Sequence, residues 1–254
     1  MTIRRLRFWK WASNYFPITV VKTTDLPANG QNYMAVCHPH GIFALSIGLT
    51  FGTEASDISS RLVPGLRCHV FTLWTIYIIP LIRELFTVLG GQSTNEVVMT
   101  ELLSNSKNTL ATLVVGGARD AMVERSDKFC TVVRRRLGFC RIALKTGTHL
   151  VPVISFGEDQ AYTTDSPIRR IVVRLMEYSE FFVTALIQGR WWTLVPHRVP
   201  ITIVIGAPVR VSQTDNPTRQ DIQDVNDRYC EALTKLYDDH KMKYGYGNKP
   251  LVLL

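Results

Sequence analysis

Two histidines stand one residue apart in the tetrapeptide His38-Pro39-His40-Gly41. The apolar run before it, residues 33–37, predicts a buried strand, and the apolar run after it predicts the start of a helix. Pro39 fixes its own φ and Gly41 permits angles that other residues avoid, so the pattern predicts a sharp turn. An imidazole titrates near neutral pH and takes protons from hydroxyl groups. The turn is therefore a candidate site for a general base, and the alternative is a pair of structural histidines.

Acidic residues follow two further apolar runs. One run leads into Gly116 and Gly117 and then Asp120, and another, over residues 149–155, is followed by Glu158. Ligands of α/β sheets bind beyond the carboxyl ends of the strands. We therefore predict that Asp120 lies near the histidines and orients one imidazole, as the acid of a catalytic triad does. The alternatives are that Asp120 caps a helix, that the glycines serve only the turn, and that Glu158 is structural.

A basic cluster lies between these two strand ends. It contains Arg134, Arg135, Arg136 and Arg141. Guanidinium groups bind phosphates through paired hydrogen bonds, so the cluster is a candidate phosphate site. The alternative is an ordinary solvated surface.

Composition limits the classes of protein to consider. The chain has 254 residues, 46% of them hydrophobic, a mean hydropathy of +0.06, a net charge of +8 and a pI near 9.4. It is long enough for one large core, and no apolar run reaches the length that spans a bilayer. Five cysteines without a CxxC pair, and no Asn-x-Ser/Thr site, favour a reducing, cytosol-facing location. The positive charge suits phosphate-bearing ligands or anionic lipids, and nucleic-acid binding has no further motif to support it.

Residues 1–30 are predicted to form a basic amphipathic segment at a membrane interface, ahead of a catalytic domain over residues 31–254. In its first part the cationic and the large apolar residues alternate. These are Arg4, Arg5, Arg7 and Lys10, and Leu6, Phe8, Trp9 and Trp11. A helix of this composition suits the plane of a membrane surface. The alternative is a surface helix whose tryptophans pack on the core.

The order of the segments predicts an α/β fold. Strands are predicted near residues 33–37, 68–73, 109–115, 149–155 and 201–205. They are continuous rather than alternating apolar runs, which is typical of strands covered on both faces. Helices are predicted from a capping box at Ser93, over residues 139–145 up to Gly147, and from Pro217 onward. Strands that alternate with helices are typical of α/β proteins.

Several catalytic motifs are missing. The sequence contains no Gly-x-Ser-x-Gly, no P-loop and no GxGxxG, so serine-hydrolase and nucleotide-binding functions are not supported. A zinc site built from Cys37, His38, His40 and Asp120 stays open as an alternative.

Together these segments resemble the acyl-CoA:diacylglycerol acyltransferase type 2 family, which includes monoacylglycerol and wax alcohol acyltransferases. The matching motifs include His38-Pro39-His40-Gly41, Gly116-Gly117-Ala118, Arg136-Leu137-Gly138-Phe139, Leu150-Val151-Pro152-Val153 and Ser155-Phe156-Gly157-Glu158. Their order and spacing cover nearly the whole chain. The resemblance implies a single domain with a mixed, mostly parallel sheet flanked by helices, similar to glycerolipid acyltransferase folds.

The resemblance also implies an O-acyltransferase. It would transfer a fatty acyl group from acyl-CoA to the hydroxyl of a neutral lipid, with diacylglycerol preferred and triacylglycerol as product. Monoacylglycerol and wax alcohols are alternative acceptors. Acyl-CoA is a substrate, and no cofactor, metal or nucleic acid is expected. The expected location is the cytosolic face of the endoplasmic reticulum membrane or a lipid droplet, and a homo-oligomer stays open.

The expected roles are as follows. One of His38 and His40, with His40 preferred, is the general base, and Asp120 orients it. Gly41, Gly116 and Gly117 shape the turns and the oxyanion site, and Gly138, Phe139 and Glu158 complete the motif. Arg134, Arg136 and Arg141 contact the phosphates of CoA. Acyl chains or the bilayer are expected to contact the aromatic residues Phe71, Trp74, Tyr77, Phe181, Phe182, Trp191 and Trp192. The alternative for each of them is simple packing in the core.

The chain departs from the family pattern at four points. Members usually have glutamate at the position of Asp120, lysine at Leu137 and tyrosine at Ile154, and most carry an N-terminal hydrophobic hairpin that this sequence does not show. The departures at Asp120 and Leu137 and the hairpin keep another class open, a catalytically silent lipid-binding protein of the membrane surface. A metal-dependent hydrolase is a separate alternative.

Overall fold

A computed structural model describes residues 3–117, 120, 127–163, 189–193 and 195–254 of the chain, with only the backbone of Trp192. The strands are β1 (Thr19–Lys22), β2 (Tyr33–His38), β3 (Arg67–Thr72), β4 (Gly91–Ser93), β5 (Thr109–Val114), β6 (Phe129–Thr131), β7 (His149–Phe156), β8 (Thr202–Ile205) and β9 (Leu251–Leu253). The α-helices are α1 (Arg7–Tyr15), α2 (Leu45–Gly52), α3 (Ile82–Val88), α4 (Glu96–Asn105), α5 (Gly138–Thr146) and α6 (Arg219–His240). Short 3₁₀ or π turns cover Ile3–Arg5, Ile58–Leu62, Trp74–Ile78, Glu158–Gln160 and Arg190–Trp192.

One seven-stranded sheet organises the molecule. Its order is β1-β8-β7-β2-β5-β3-β4, and only the β7–β8 pair is antiparallel. A separate parallel pair joins β6 to β9. The predicted α/β class with a mixed, mostly parallel sheet is confirmed. Because β2, β5 and β7 are parallel neighbours, their carboxyl ends meet at the same edge of the sheet.

The central strand β2 is covered on both faces, which explains its continuous apolar sequence. Met34 and Val36 pack into one hydrophobic core with α4, α5 and α6, and Ala35 and Cys37 pack into the other core with α2. Because side chains alternate along a strand, His38 points to the same face as Val36, toward α6. The ring of His38, the last residue of β2, is therefore buried.

The sequence correctly predicts the apolar face of α6 but not its start. Its predicted core residues are all buried, namely Ile222, Val225, Tyr229, Leu233 and Leu236. Thr218, not the residue before Pro217, is the N-cap: its hydroxyl accepts from the N–H of Asp221 at 3.2 Å. The Asp221 carboxylate accepts from the N–H of Thr218 in return, at 2.8 Å. This reciprocal capping box stabilises the later start, so the prediction that Pro217 is the first helical residue is wrong.

The helix α4 shows a similar difference. Asn95 caps it by accepting from the N–H of Val97 at 2.9 Å, whereas Ser93, the predicted capping residue, belongs to β4. The prediction for α5 is confirmed, including its end at Gly147, which has a φ of 65°.

The boundary predicted at residue 30 does not coincide with a break in the fold. β1 lies within residues 1–30, yet it is the edge strand of the central sheet and pairs with β8. Among the described residues, no helix is both long enough and apolar enough to cross a bilayer.

Candidate active site

The carboxyl edge of the sheet brings together three of the predicted segments. The His-Pro-His-Gly turn follows β2, Gly116 and Gly117 follow β5, and Glu158 follows β7. Asp120 reaches the same edge from the segment after β5, where its carboxylate contacts the backbone of His40. The His38–Pro39 peptide bond is cis. The sequence-based prediction that these strand ends converge is therefore correct.

The ring of His38 is fully buried and both of its nitrogens are engaged. Nδ1 lies 2.8 Å from the hydroxyl of Thr131, and Nε2 lies 3.0 Å from the hydroxyl of Tyr229. Burial lowers the pKa of His38 to about 3, so the ring is neutral at physiological pH. Neither nitrogen is left to take a proton from a substrate.

The ring of His40 has a different environment. The side chain is half-buried, and its Nδ1 lies 3.0 Å from the carbonyl oxygen of Gly41. A carbonyl only accepts, so Nδ1 carries the proton and Nε2 carries the free lone pair. Nε2 makes no hydrogen bond to the residues that the structure describes. Burial lowers the pKa of His40 and the Gly41 carbonyl opposes that shift, so the neutral, proton-accepting form dominates at neutral pH.

The carboxylate of Asp120 is 1% exposed and accepts three hydrogen bonds. Oδ1 accepts from the N–H of Val132 at 2.6 Å. Oδ2 accepts from the Thr131 hydroxyl at 3.0 Å and from the N–H of His40 at 3.3 Å. Burial raises its pKa to about 6, against the opposing effect of these donors.

The prediction that Asp120 bonds directly to an imidazole ring is therefore wrong, although the residue does lie beside the histidines. The short carboxylate reaches the backbone of His40 and, through the Thr131 hydroxyl, the ring of His38. The ring of His40 is oriented by the Gly41 carbonyl instead. Asp120 thus holds the turn, and the tautomer of His40 depends on a main-chain oxygen.

Glu158 occupies the start of the helix that follows the turn. Its two carboxylate oxygens accept from the N–H groups of Leu45 at 2.8 Å and Ser46 at 3.2 Å. The helix begins at Leu45, a few residues later than the sequence indicates. The amides at its first turn are therefore not free for an oxyanion. The amides of residues 41–43 make no hydrogen bond within the described part of the chain.

A cavity of about 640 Å³ opens beside the same edge. Its wall includes Gly116, Gly117, Gly138 and Phe139, the apolar side chains Leu73, Met99, Leu113, Leu137 and Ile142, and the cationic side chains Arg135, Arg136 and Arg141. Through Gly116 it adjoins Asp120, because a Cβ on that glycine would lie 2.1 Å from the carboxylate carbon. His40 is not part of the wall of this cavity.

The three arginines predicted to bind phosphates are not together. Arg136 and Arg141 line the cavity, and Arg141 also pairs with Glu96 at 3.2 Å. Arg134 lies on another surface, 3.7 Å from Asp227 on α6. Arg135 belongs to the same basic run and also lines the cavity, although it was not among the three arginines predicted to contact CoA.

The four residues weighed for zinc do not converge. Cys37 packs on the face of the sheet opposite to His38, because neighbouring residues of a strand point in opposite directions. Across the described ranges, no group of three His, Cys, Asp or Glu residues could hold a metal ion.

Two functional candidates were missed by the sequence analysis. Thr131 and Tyr229 hold the ring of His38, yet Thr131 lies in a three-residue strand and Tyr229 reads as one more core position of α6. No spacing rule connects either residue to His38. Of the aromatic residues expected to contact lipid, Phe71 is buried, Trp74 and Trp191 are exposed, and Phe181 and Phe182 lie outside the described residues.

Sequence comparison finds relatives along the whole chain. A family model described as diacylglycerol acyltransferase matches residues 1–254. Diacylglycerol O-acyltransferase 2 of Rattus norvegicus and that of Homo sapiens are each 35% identical over 254 residues, which is 96% of this chain and 65% of each relative. Diacylglycerol O-acyltransferase 2-like protein 6 of Homo sapiens is 32% identical over 257 residues, covering 96% of this chain and 76% of the relative. The chain thus spans 65% of the length of the rat and human diacylglycerol O-acyltransferase 2 sequences.

The fold is similar to that of a solved acyltransferase. The crystal structure of the 1-acyl-sn-glycerophosphate acyltransferase PlsC from Thermotoga maritima matches with a TM-score of 0.52 and 14% identity, over 91% of this chain and 76% of that chain. At this identity the similarity concerns the fold. It agrees with the predicted likeness to glycerolipid acyltransferase folds. The family model covers every residue, and three segments from the motifs that suggested the family, namely the His-Pro-His-Gly turn, Gly116-Gly117 and Glu158, lie at one edge of the sheet. The chain belongs to the diacylglycerol acyltransferase family.

Proposed function

We propose that this chain transfers a fatty acyl group from acyl-CoA to the hydroxyl of diacylglycerol and forms triacylglycerol. The names of its relatives support both the reaction and the acceptor. In this proposal acyl-CoA is a substrate and no cofactor takes part. The cytosolic face of the endoplasmic reticulum membrane is the proposed location, a lipid droplet being the other candidate.

The observation that supports the proposal most directly is the hydrogen bonding of the His40 ring. Its Nδ1 is committed to the Gly41 carbonyl, so Nε2 is the atom that takes the proton of the acceptor hydroxyl. The hydroxyl oxygen then attacks the thioester carbonyl, the C–O bond forms and the C–S bond breaks. The proton passes from Nε2 to the departing CoA sulfur. General-base catalysis of this kind contributes about 10²- to 10⁴-fold.

The turn itself supplies the remaining groups in this mechanism. The backbone amides of residues 41–43 are the proposed donors to the oxyanion that develops on the thioester carbonyl. Asp120 fixes the turn by accepting the N–H of His40. Glu158 supports it from the other side, since a Cβ on Gly41 would lie 3.0 Å from the Glu158 Cγ. Gly41 has a φ of +54°, a conformation that glycine adopts without strain.

We assign the phosphates of CoA to the cationic wall of the cavity. Arg135, Arg136 and Arg141 line it, and guanidinium groups bind phosphate through forked hydrogen bonds. Arg141 would exchange its bond to Glu96 for a phosphate oxygen. We exclude Arg134 from this assignment because it faces Asp227 on a different surface. The apolar half of the cavity suits the start of the acyl chain.

A membrane is the proposed source of the acceptor. An exposed apolar surface, defined here as Leu6, Phe8, Trp11, Trp74, Ile78, Leu81, Leu85 and Val88, supports this. Trp11 is 68% exposed, Trp74 62% and Leu81 83%, which is unusual for large apolar side chains. Cationic residues Arg5, Arg7 and Lys10 flank it, and such a mixture favours an anionic bilayer surface.

The two parts of this apolar surface meet at Arg4. Its Nη2 donates to the carbonyl oxygen of Phe51 at 2.9 Å, and its Nη1 donates to that of Cys68 at 3.3 Å. The same Nη1 lies 3.3 Å from the place of a Cβ on Gly90, two residues after α3. The start of the N-terminal segment therefore lies close to the end of α3.

The test is acyl transfer from labelled acyl-CoA to a panel of acceptors in vesicles: diacylglycerol, monoacylglycerol and a long-chain alcohol. We expect triacylglycerol, and we expect His40→Ala to lower its formation by about 100-fold or more. His240→Ala is the matched control, since the Nδ1 of His240 also bonds a backbone carbonyl, that of Leu236, at the end of α6.

Full activity of a folded His40→Ala variant would reject the base assignment. If the chain acylates only another acceptor of the panel, that acceptor replaces diacylglycerol as the proposed substrate. If the wild-type chain binds vesicles and turns over none of the acceptors, the lipid-binding class replaces the enzyme.

A further inference from the structure

The ring of His38 is buried next to the proposed base, and two side chains from distant elements bond to it. Its ring is 0% exposed and is held by two buried hydroxyl groups, that of Thr131 on β6 and that of Tyr229 on α6. A buried polar nitrogen is costly unless it is bonded, so the two hydroxyl groups hold the ring in one orientation within the core. Two separate elements, β6 and α6, thus converge on a ring that cannot act as the base.

The hydrogens of this group can be assigned from simple donor and acceptor rules. The hydroxyl of Thr131 donates its one proton to Asp120, so it accepts from Nδ1–H of His38. Nε2 of His38 then has no proton and accepts from the hydroxyl of Tyr229. The carbonyl oxygen of Val36, 3.1 Å away, is a second acceptor for the one proton of this hydroxyl, which Nε2 and that oxygen therefore share. The result is a continuous chain from Tyr229 through His38 and Thr131 to Asp120.

The chain ends on the atom that holds the proposed base. Oδ2 of Asp120 accepts from the Thr131 hydroxyl at 3.0 Å and from the N–H of His40 at 3.3 Å. Only Pro39, whose φ is fixed by its ring, separates His38 from His40. The backbone of His40 is therefore held from both sides: through Asp120 and through the clamped ring of His38.

We propose that Thr131 and Tyr229 are positioning residues for acyl transfer, which clamp His38 and thereby hold His40 where its Nε2 meets the acceptor hydroxyl. This inference rests on the proposed function. Neither residue touches the substrate in it. A base that is misplaced by about 1 Å can lose about 10²-fold in rate, so the clamp acts on kcat rather than on substrate binding.

The framework around Thr131 is consistent with a positioning role. Its strand, β6, pairs with β9, and the carbonyl oxygen of Thr131 accepts from the N–H of Leu254 at 2.9 Å. The N–H of Arg134 donates to the carbonyl oxygen of Leu254 at 2.8 Å. Thr131 is thus fixed by its backbone as well as by its side chain.

The test compares Thr131→Val, which keeps the shape and removes the hydroxyl, with Thr131→Ser, which keeps the hydroxyl. We expect kcat of Thr131→Val to fall about 10- to 100-fold with KM for acyl-CoA within about twofold, and Thr131→Ser to recover most of the loss. Tyr229→Phe should behave like Thr131→Val, and it decides the question if Thr131→Val does not fold.

The controls remove buried hydroxyls elsewhere. Thr109→Val acts at the start of β5, where the hydroxyl bonds Ser106, and Tyr237→Phe removes a bond to the Lys249 carbonyl from the same helix as Tyr229. Thermal unfolding of every variant reports the loss of stability. We expect the controls to keep wild-type kcat at a similar loss of stability.

Wild-type kcat in folded Thr131→Val and Tyr229→Phe would overturn the proposal. An equal fall in kcat in the controls, or a Thr131→Ser variant as slow as Thr131→Val, would also overturn it, because the effect would then be structural. Absence of acyl transfer by the wild-type chain would reject the proposed function itself, and the positioning roles with it.

Discussion

His38 and His40 differ in their environment although one residue separates them. His38 ends β2 and points its ring into the core between β6 and α6, where two hydroxyls engage it. His40 lies beyond the strand end, where only one ring nitrogen is engaged. Burial lowers the pKa of both rings, so both are neutral at physiological pH. The free lone pair, not the pKa, therefore distinguishes the candidate base.

The protonation of Asp120 is expected to make the rate of the reaction depend on pH. Its pKa is raised to about 6 by burial, and the groups that face it are the N–H groups of Val132 and His40, the Thr131 hydroxyl and the Arg136 guanidinium. Protonation removes an acceptor from the oxygen that holds His40, so we expect kcat/KM to fall as the pH drops through about 6. Asp120→Asn removes this ionisation, so the part of the fall that comes from Asp120 should be lost, and the rate above about pH 6 should already be lowered because the carboxylate acceptor is missing. The measurement is a pH–rate profile of both proteins, and identical profiles would contradict it.

The same carboxyl has the opposite effect on stability. Its pKa in the folded state lies above its ordinary value of 3.8, so the folded state binds more protons than the unfolded state between about pH 4 and pH 6. Its contribution to the free energy of unfolding therefore decreases as the pH rises through this range. The activity of the site thus requires the form of Asp120 that is less favourable for folding.

Gly116 and Gly117 provide a matched pair for a test of the site. Both have positive φ, +107° and +60°, so a side chain strains the backbone at either position. A Cβ on Gly116 would lie 2.1 Å from the carboxylate carbon of Asp120, whereas a Cβ on Gly117 would meet nothing among the described atoms within 4 Å. We expect Gly116→Ala to displace Asp120 and lower kcat by about tenfold or more. Gly117→Ala should keep its kcat and lose stability, about 1 kcal/mol, with any effect of its place in the cavity wall confined to KM. Acyl-transfer assays with thermal unfolding decide between them, and equal kcat values would argue against the contact.

At the scale of elements, the sequence predicts what periodicity and turn residues determine. The continuous apolar runs correctly predict β2, β3, β5, β7 and β8, because a strand covered on both faces needs apolar residues at every position. Their parallel order then brings the His-Pro-His-Gly turn, Gly116 and Glu158 to one edge. Helix starts are predicted less well, since several polar residues compete for the cap at Ser93–Asn95 and at Pro217–Thr218.

The clamp on His38 could not be predicted in this way. β6 and β9 are three residues each and far apart in the chain, so no period reveals their pairing or the place of Thr131. Tyr229 shares the spacing of the apolar face of α6, so its hydroxyl is hidden among core positions. Arg134 and Arg136 are neighbours in one basic run, but they lie on different surfaces because the chain turns there. Contacts between distant elements depend on tertiary packing, and local patterns in a single sequence do not reveal that packing.

At the scale of the whole molecule, the cavity adjoins both the catalytic edge and the segment that carries part of the exposed apolar surface. Leu73 lines the cavity and directly precedes Trp74 of that surface, and Gly116 at the other side of the cavity adjoins Asp120. Hence a lipid bound at the apolar surface would lie near a route that leads toward the turn. The net charge of +8 favours binding to an anionic bilayer.

This arrangement predicts that membrane binding and catalysis can be separated. Ile78→Glu places a charge on the apolar surface, so we expect the dissociation constant for vesicles that contain anionic lipid to rise about tenfold. Turnover of diacylglycerol dispersed in detergent should stay within about twofold, because Ile78 lies outside the cavity wall. Met242→Glu is the control: this apolar residue is 76% exposed, after the end of α6. Vesicle flotation at low and high salt measures the binding, and wild-type flotation of Ile78→Glu would contradict the assignment of this surface. A parallel loss of turnover in detergent would instead indicate that the same segment shapes the cavity, since residues 74–78 directly follow its Leu73 wall.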